Sequence, residues 1–77
     1  MSADPFAPSD DQIIRIVRRV QEQLRSQVRL FRIECVATGV TLHGLSRTFY
    51  AKQLAQHFVM KSTKLPIVAN QICVESD

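Results

Sequence analysis

The 77-residue chain lacks several features that identify common protein classes. Its two cysteines are too few for a disulfide scaffold. No apolar run approaches the roughly 20 residues of a membrane-spanning helix. There is no internal repeat and no low-complexity tract. A chain of this length has room for one hydrophobic core and little room for a deep catalytic cleft, so we expect one small domain.

Side chains that carry catalysis or bind metals are few and widely spaced. The sequence has no C-x-x-C or H-x-x-x-H pair of the kind that zinc sites use, and the possible ligands are Cys35, His43, His57 and Cys73. No local signature of a Ser–His–Asp or Cys–His set is present. We therefore expect no enzyme, no metal site and no cofactor, and we expect both histidines to be ordinary surface residues.

The composition is close to that of an ordinary globular protein, with a mild basic excess. Hydrophobic residues make up 45%, charged residues 22%, and the net charge is +3. This charge permits attraction to anionic lipid or to nucleic acid. Residues 1–8 are expected to form a flexible tail, and residues 9–77 a single domain. The N-terminal segment has neither the basic nor the apolar region of a signal peptide, so we expect a cytoplasmic protein unless the chain is an excised domain.

Apolar residues recur at helical spacing in the first third of the chain. Ser9 and Gln12 have the spacing of a capping box at a helix N-terminus. The apolar stripe that follows consists of Ile13, Ile16, Val17, Val20 and Leu24. This pattern predicts an amphipathic helix over residues 10–26, whose apolar face covers another layer of the fold.

Two segments with the alternation of β-strands come next. Residues 28–36 predict a strand, with Cys35 on its buried face. A turn that includes Gly39, which is free to take a positive φ, leads to a second strand at residues 40–43. Gly44 is expected to end this strand and to release the chain into a helix.

A second helix and a third strand complete the pattern. Ser46 or Thr48 can cap the helix. Its predicted inner stripe consists of Ala51, Leu54, Ala55 and Phe58. Pro66 prevents the helix from continuing, and the alternation over residues 68–74 predicts a strand.

The element order αββαβ predicts an α+β fold, a two-layer sandwich with both helices on one face of a three-stranded mixed sheet. The crossover through the second helix favours a parallel arrangement of the second and third strands. The first strand is predicted to lie between them and antiparallel to both, which gives the strand order 2-1-3.

This combination of elements resembles the BON domain, a family named for bacterial osmotic-shock and nodulation proteins. The resemblance extends over about residues 28–74 and is carried by Gly39-Val-Thr-Leu-x-Gly44, Ala51, Ala55 and Val68-x-Asn70-x-Ile72-x-Val74. It implies the two-layer fold and a non-enzymatic bacterial module that binds phospholipid membranes or other proteins. It implies no catalytic residues.

Two sets of residues are candidates for binding. The basic set comprises Arg15, Arg18, Arg19, Arg25, Lys52, Lys61 and Lys64. Such side chains attract anionic head groups, each contributing about 1 kcal/mol, although a solvated outer face gives the same pattern.

The second set is spaced i, i+4, i+7, i+11 on the second helix and comprises Phe49, Gln53, Gln56 and Met60. This partner stripe suits a partner helix, a dimer contact or a lipid surface, unless its two ends fold into neighbouring loops.

We therefore expect a BON-like module that engages an anionic phospholipid surface or a protein partner. One alternative is a KH-like nucleic-acid-binding domain, which clamps nucleotides with a G-x-x-G loop between two helices. Here four residues separate Gly39 from Gly44, and the two glycines flank a predicted strand instead. The other alternative is a self-association module that uses the polar open face or the edges of the sheet.

Overall fold

The computed structural model describes residues 10–75. In this range the elements are α1 (Asp10–Leu24), β1 (Val28–Val36), β2 (Gly39–Ser46), α2 (Phe49–Ser62), β3 (Ile67–Asn70) and β4 (Cys73–Val74). The predicted tail at residues 1–8 and the predicted capping residue Ser9 lie outside the described residues. The two helices and the mixed sheet confirm the predicted α+β, two-layer class.

The central strand of the sheet is β2. It pairs antiparallel with β1 and parallel with both β3 and β4. The predicted strand order 2-1-3 is therefore wrong, because the observed order is β1-β2-β3. The hairpin already places β1 on one edge of β2, and the crossover through α2 returns the chain to the other edge of the same strand.

The predicted third strand is interrupted after Asn70. Its side-chain Oδ1 accepts a hydrogen bond from the backbone N–H of Ile72 at 3.2 Å. Its Nδ2 donates to the carbonyl oxygen of Lys52 in α2 at 3.0 Å. The backbone N–H of Gln71 still donates to Leu42 of β2 at 2.8 Å, so β3 and β4 follow the same edge of β2. The Asn70 amide thus ties the interruption to the helix above it, and Ile72 is buried in the core.

A β-bulge in β1 changes which of its residues face the core. The pairing with β2 shifts between Arg29 and Arg32, so that Leu30 and Phe31 together lie opposite the single residue Gly44. Leu30 has a φ of 54° and is 77% exposed, whereas Phe31 is buried. Val28 is buried as well, although it shares the parity of Leu30, so the simple alternation predicted for this strand fails at the bulge.

Gly44 lies inside β2 and does not end the strand as predicted. A Cβ atom at this position would lie 2.8 Å from Cγ1 of Val28 and 3.1 Å from the carbonyl oxygen of Arg29. The missing side chain therefore makes room for the bulged segment of β1. The strand continues to Ser46, whose hydroxyl donates to the carbonyl oxygen of Thr48 at 3.0 Å.

Gly39 permits a close approach between β2 and the segment that precedes β3. A Cβ atom here would lie 2.2 Å from the carbonyl oxygen of Pro66. That oxygen accepts a hydrogen bond from the N–H of Val40 at 2.9 Å. The φ of Gly39 is positive, at 156°, and the residue pairs with Val36 across the hairpin.

Both helices pack on one face of the sheet, as predicted, and share one core with it. They contact each other, and each contacts β1. The buried apolar residues of this core are Val20, Leu24, Val28, Phe31, Val40, Leu42, Ala51, Ala55, Val59 and Ile72. One side of the molecule is thus formed by helices and the other by the open face of the sheet.

The helix α2 is capped by Thr48, one of the two predicted capping residues. Its Oγ1 accepts a hydrogen bond from the N–H of Ala51 at 3.0 Å. The buried side of the helix is formed by Ala51, Ala55 and Val59, while Leu54 and Phe58 are half-buried. The buried side of α2 therefore lies further towards Val59 around the helix than predicted.

Burial along β1 decreases towards the hairpin. Phe31 is buried, Ile33 is half-buried and Cys35 is exposed. The prediction that Cys35 belongs to the core is wrong, because the covered part of β1 ends before this position. Cys73 is exposed, as predicted.

Candidate binding surfaces

Arg15, Arg18 and Arg19 lie exposed on the outer side of α1. The helical repeat places all three on the side of α1 that points away from the core. Glu22 shares this side of the helix. Within the described range, no acidic side chain lies within 4.0 Å of the three guanidinium groups. Three cationic side chains are therefore presented directly to solvent.

Arg25 belongs to the end of α1 and not to its outer side. The helix ends at Leu24, two residues before the predicted end. Arg25 and Ser26 both have left-handed backbone conformations, with φ of 51° and 69°. The N–H of Arg25 donates to Gln21 at 3.1 Å, and that of Gln27 donates to Leu24 at 3.0 Å, which closes the helix terminus.

The three lysines of the predicted basic set lie elsewhere. Lys52 is half-buried on the side of α2 that faces β3, where its carbonyl oxygen accepts the bond from Asn70. Lys61 and Lys64 are exposed at the end of α2 and in the segment that leads to β3. The structure thus distributes the predicted basic set over α1 and the two ends of α2.

Both large apolar members of the partner stripe are exposed. Phe49 is 60% exposed and Met60 is 61% exposed, and Gln53 is exposed between them. Gln56 is half-buried, and its Oε1 accepts a hydrogen bond from Nδ2 of Asn70 at 3.3 Å. The stripe therefore has two exposed apolar ends, and one of its glutamines is used within the fold.

The outer sides of α1 and α2 form one continuous side of the molecule, because both helices cover the same face of the sheet. We call it the helical surface, and it is defined by Arg15, Arg18, Arg19, Phe49, Gln53 and Met60. The α1 half of this surface carries three arginines with the acidic Asp11 and Glu22 among them, and the α2 half carries exposed apolar side chains. Both halves lie on the side of the molecule that faces away from the sheet.

The open face of the sheet has a different electrostatic character. Nε2 of His43 and Oε1 of Glu34 are 2.9 Å apart, across the β1–β2 pair. Arg29 forms an ion pair with Glu75 at 2.5 Å, which spans from β1 to the residue after β4. The Arg29–Glu75 contact pairs opposite charges on the sheet side. Neither Arg32 of the sheet nor the arginines of the helical surface have an acidic partner in the described structure.

A cavity of about 240 Å³ lies where α1 ends and α2 begins. Its lining residues are Ser26, Gln27, Arg29, Leu45, Arg47, Thr48 and Ala51. Neither Arg29 nor Arg47 belongs to the predicted binding residues. The sequence signals that point to them are an arginine at the start of β1 and an arginine directly before a helix N-cap. The hairpin brings these two positions to the same end of the sheet.

Other kinds of site find no support in the described residues. No group of three or more His, Cys, Asp or Glu side chains in this range is arranged to hold a metal ion. Of the two helices described, neither has the length and apolarity that crossing a bilayer requires.

Comparison with known proteins gives no match to this chain among family models, curated proteins or solved structures. The resemblance to the BON domain therefore depends on the sequence motifs alone. The functional inference depends on the surfaces described above.

Proposed function

We propose that this chain is a non-enzymatic, BON-like binding module that docks on anionic phospholipid surfaces through its helical surface. The observation that carries the proposal is the position of Arg15, Arg18 and Arg19. They lie exposed on the same side of the molecule as the exposed Phe49 and Met60. Basic residues combined with exposed apolar side chains are typical of surfaces that lie in the membrane interface.

The arginines supply the long-range part of the attraction. Each basic residue near an anionic membrane contributes about 1 kcal/mol, so three contribute roughly 3 kcal/mol. Asp11 and Glu22 on the same side of α1 reduce this total. The attraction decays over a Debye length of about 8 Å at physiological ionic strength, so binding should be strongly salt-dependent.

The apolar side chains supply the short-range part. Phe49 and Met60 are 11 positions apart, which corresponds to about 16 Å along a helix, or roughly three turns. Moving a large apolar side chain from water into an apolar environment is favourable by up to about 1.5–3 kcal/mol. With α2 parallel to the membrane plane, both side chains reach the interface while Arg15 and Arg18 contact head groups.

Sedimentation with vesicles at increasing salt concentration tests this proposal. The protein should sediment with vesicles that contain phosphatidylglycerol at low salt, and should be released as the salt concentration rises. It should not sediment with pure phosphatidylcholine vesicles. The double variant Arg15→Gln/Arg18→Gln should lose most of the binding.

The matched control is the double variant Arg32→Gln/Lys64→Gln, which removes the same charge outside the helical surface. Its binding should remain close to that of the unmodified protein. The lipid proposal fails if there is no sedimentation with anionic vesicles at low salt. It also fails if the control variant loses as much binding as the Arg15/Arg18 variant.

No specific observation supports either alternative, the KH-like nucleic-acid-binding domain or the self-association module. Gly39 and Gly44 both lie within β2, whereas the nucleotide clamp of a KH domain lies in a loop between helices. Self-association through the open face of the sheet would have to compete with the internal contacts of Arg29 with Glu75 and of His43 with Glu34. The lipid surface is therefore the binding partner that the helical surface favours.

A further inference from the structure

We propose that the cavity between the end of α1 and the start of α2 binds a phosphate-type anion. The proposal concerns a different part of the molecule from the helical surface and does not depend on lipid docking by α1. It follows from the side chains that line the cavity, of which two are arginines and none is acidic.

The two arginines reach the cavity from different elements. Arg29 lies at the start of β1, and Arg47 lies in the connection between β2 and α2. A guanidinium group presents a planar set of donors that matches two oxygens of a phosphate, which makes arginine well suited to bind this group. Arg47 has no ion-pair partner among the described residues. It is thus available to an anion that enters the cavity.

Neutral donors line the same cavity. Thr48 uses its Oγ1 as the acceptor for the N–H of Ala51, so its hydroxyl proton is left to donate to another group. Ser26 and Gln27, whose side chains carry a hydroxyl and an amide group, are also among the residues that line the cavity. The lining combines two cations with hydrogen-bond donors, which is the composition that recognises a phosphate group.

Glu75 is an internal competitor for one of the arginines. Its carboxylate holds Arg29 at 2.5 Å, but it does not line the cavity. Both side chains of this pair are about half exposed, at 58% and 44%, so the pair is weak and exchangeable. A bound phosphate would therefore share or replace Glu75 as the partner of Arg29, and removal of the Glu75 charge should strengthen anion binding.

A titration followed by NMR with inorganic phosphate, at constant ionic strength in sodium chloride, tests the site. We expect saturable shifts of the backbone amides of Ser26 and Thr48. Arg47→Gln should weaken phosphate binding about tenfold, the change expected for the loss of one charge-assisted contact. Glu75→Gln should strengthen it several-fold, whereas Arg32→Gln, which removes the same charge from the open face of the sheet, should leave it unchanged.

The proposal is overturned if phosphate produces no saturable shifts at the cavity. It is also overturned if Arg32→Gln weakens binding as much as Arg47→Gln, because the effect would then follow from net charge. Glu75→Gln provides a further test that does not require a loss of binding, since an unchanged or weaker affinity in this variant contradicts the assigned competition.

The phosphate group has two possible sources, a soluble phosphomonoester or a lipid head group. Glycerol phosphate represents the first source, and vesicles that contain phosphatidic acid represent the second. If Arg47→Gln weakens binding to both probes, the site accepts lipid head groups, and if it weakens binding only to glycerol phosphate, the site takes soluble ligands. A failed vesicle experiment with a successful phosphate titration would remove the docking proposal and leave this site in place.

Discussion

Leu30 is a large apolar residue at a position where the backbone favours glycine. Its φ of 54° lies in the left-handed region, which costs a residue with a side chain about 1–2 kcal/mol. The side chain is 77% exposed and returns little packing energy. The β-bulge that requires this conformation is permitted by Gly44 on the opposite strand. The sequence therefore retains strain at an exposed site.

We predict that Leu30→Gly increases the free energy of unfolding by about 0.5–1 kcal/mol, because relief of the backbone strain exceeds the entropy that glycine adds to the unfolded chain. Denaturant unfolding measures the change. Leu30→Ala is the matched control: it retains a Cβ atom and should give no comparable gain. A loss of stability in the glycine variant would contradict the assigned strain.

Gly39 shows the opposite case, in which only glycine fits. A Cβ atom would lie 2.2 Å from the carbonyl oxygen of Pro66, which is itself held by the N–H of Val40. We predict that Gly39→Ala lowers the free energy of unfolding by about 2–3 kcal/mol, as overpacking does elsewhere. Thermal or denaturant unfolding would measure this loss of stability. Thr38→Ala, one residue earlier in the turn, should change stability by less than about 0.5 kcal/mol, and equal effects of the two substitutions would rule out the steric explanation.

At the scale of elements, the Asn70 side chain joins the edge of the sheet to α2. Its amide nitrogen donates to Lys52 and Gln56, and its oxygen accepts from Ile72. We predict that Asn70→Asp destabilises the fold by about 1–3 kcal/mol, since it keeps the acceptor but removes both donors and places a negative charge beside two acceptors. Gln56→Ala removes only the longer contact and should have a smaller effect, measured in the same unfolding experiment. Equal stability of Asn70→Asp and the unmodified protein would contradict this role.

The elements themselves were largely predictable, because each depends on local periodicity. The residues of β1 and the start of α1 follow directly from apolar spacing, and Pro66 marks a break in the chain between α2 and β3. The bulge was not predictable in this way. The alternation places Leu30 outwards and Phe31 inwards, as the structure does, but by the same parity Val28 would point outwards, whereas the bulge brings it into the core. The strand order depends on long-range pairing, which periodicity does not contain.

The candidate surfaces were predictable to different degrees. The helical repeat alone placed Arg15, Arg18 and Arg19 on the outer side of α1. The cavity was not predictable, since Arg29 and Arg47 are far apart in sequence and each resembles an isolated surface residue. Only the pairing of β1 with β2 brings them to the same end of the fold.

At the scale of the whole molecule, the two sides differ in the number of arginines and in the exposed apolar side chains that they present. The sheet side has the ion pair of Arg29 with Glu75, a contact between His43 and Glu34, and Arg32 without an acidic partner in the described structure. The helical surface leaves its arginines without acidic partners in the described structure, and it adds the exposed side chains of Phe49 and Met60. An anionic surface should therefore orient the domain, with the helices towards the membrane and the open face of the sheet towards water.

The orientation on a membrane tests this account most directly. Paramagnetic relaxation enhancement can be measured on nanodiscs that contain phosphatidylglycerol and a head-group spin label. The account predicts strong broadening of the amides of Arg18 and Gln53 on the helical surface, and little broadening of Arg32 and Gln71 on the sheet. Broadening of the sheet residues instead, or equal broadening of both sides, would contradict docking through the helices.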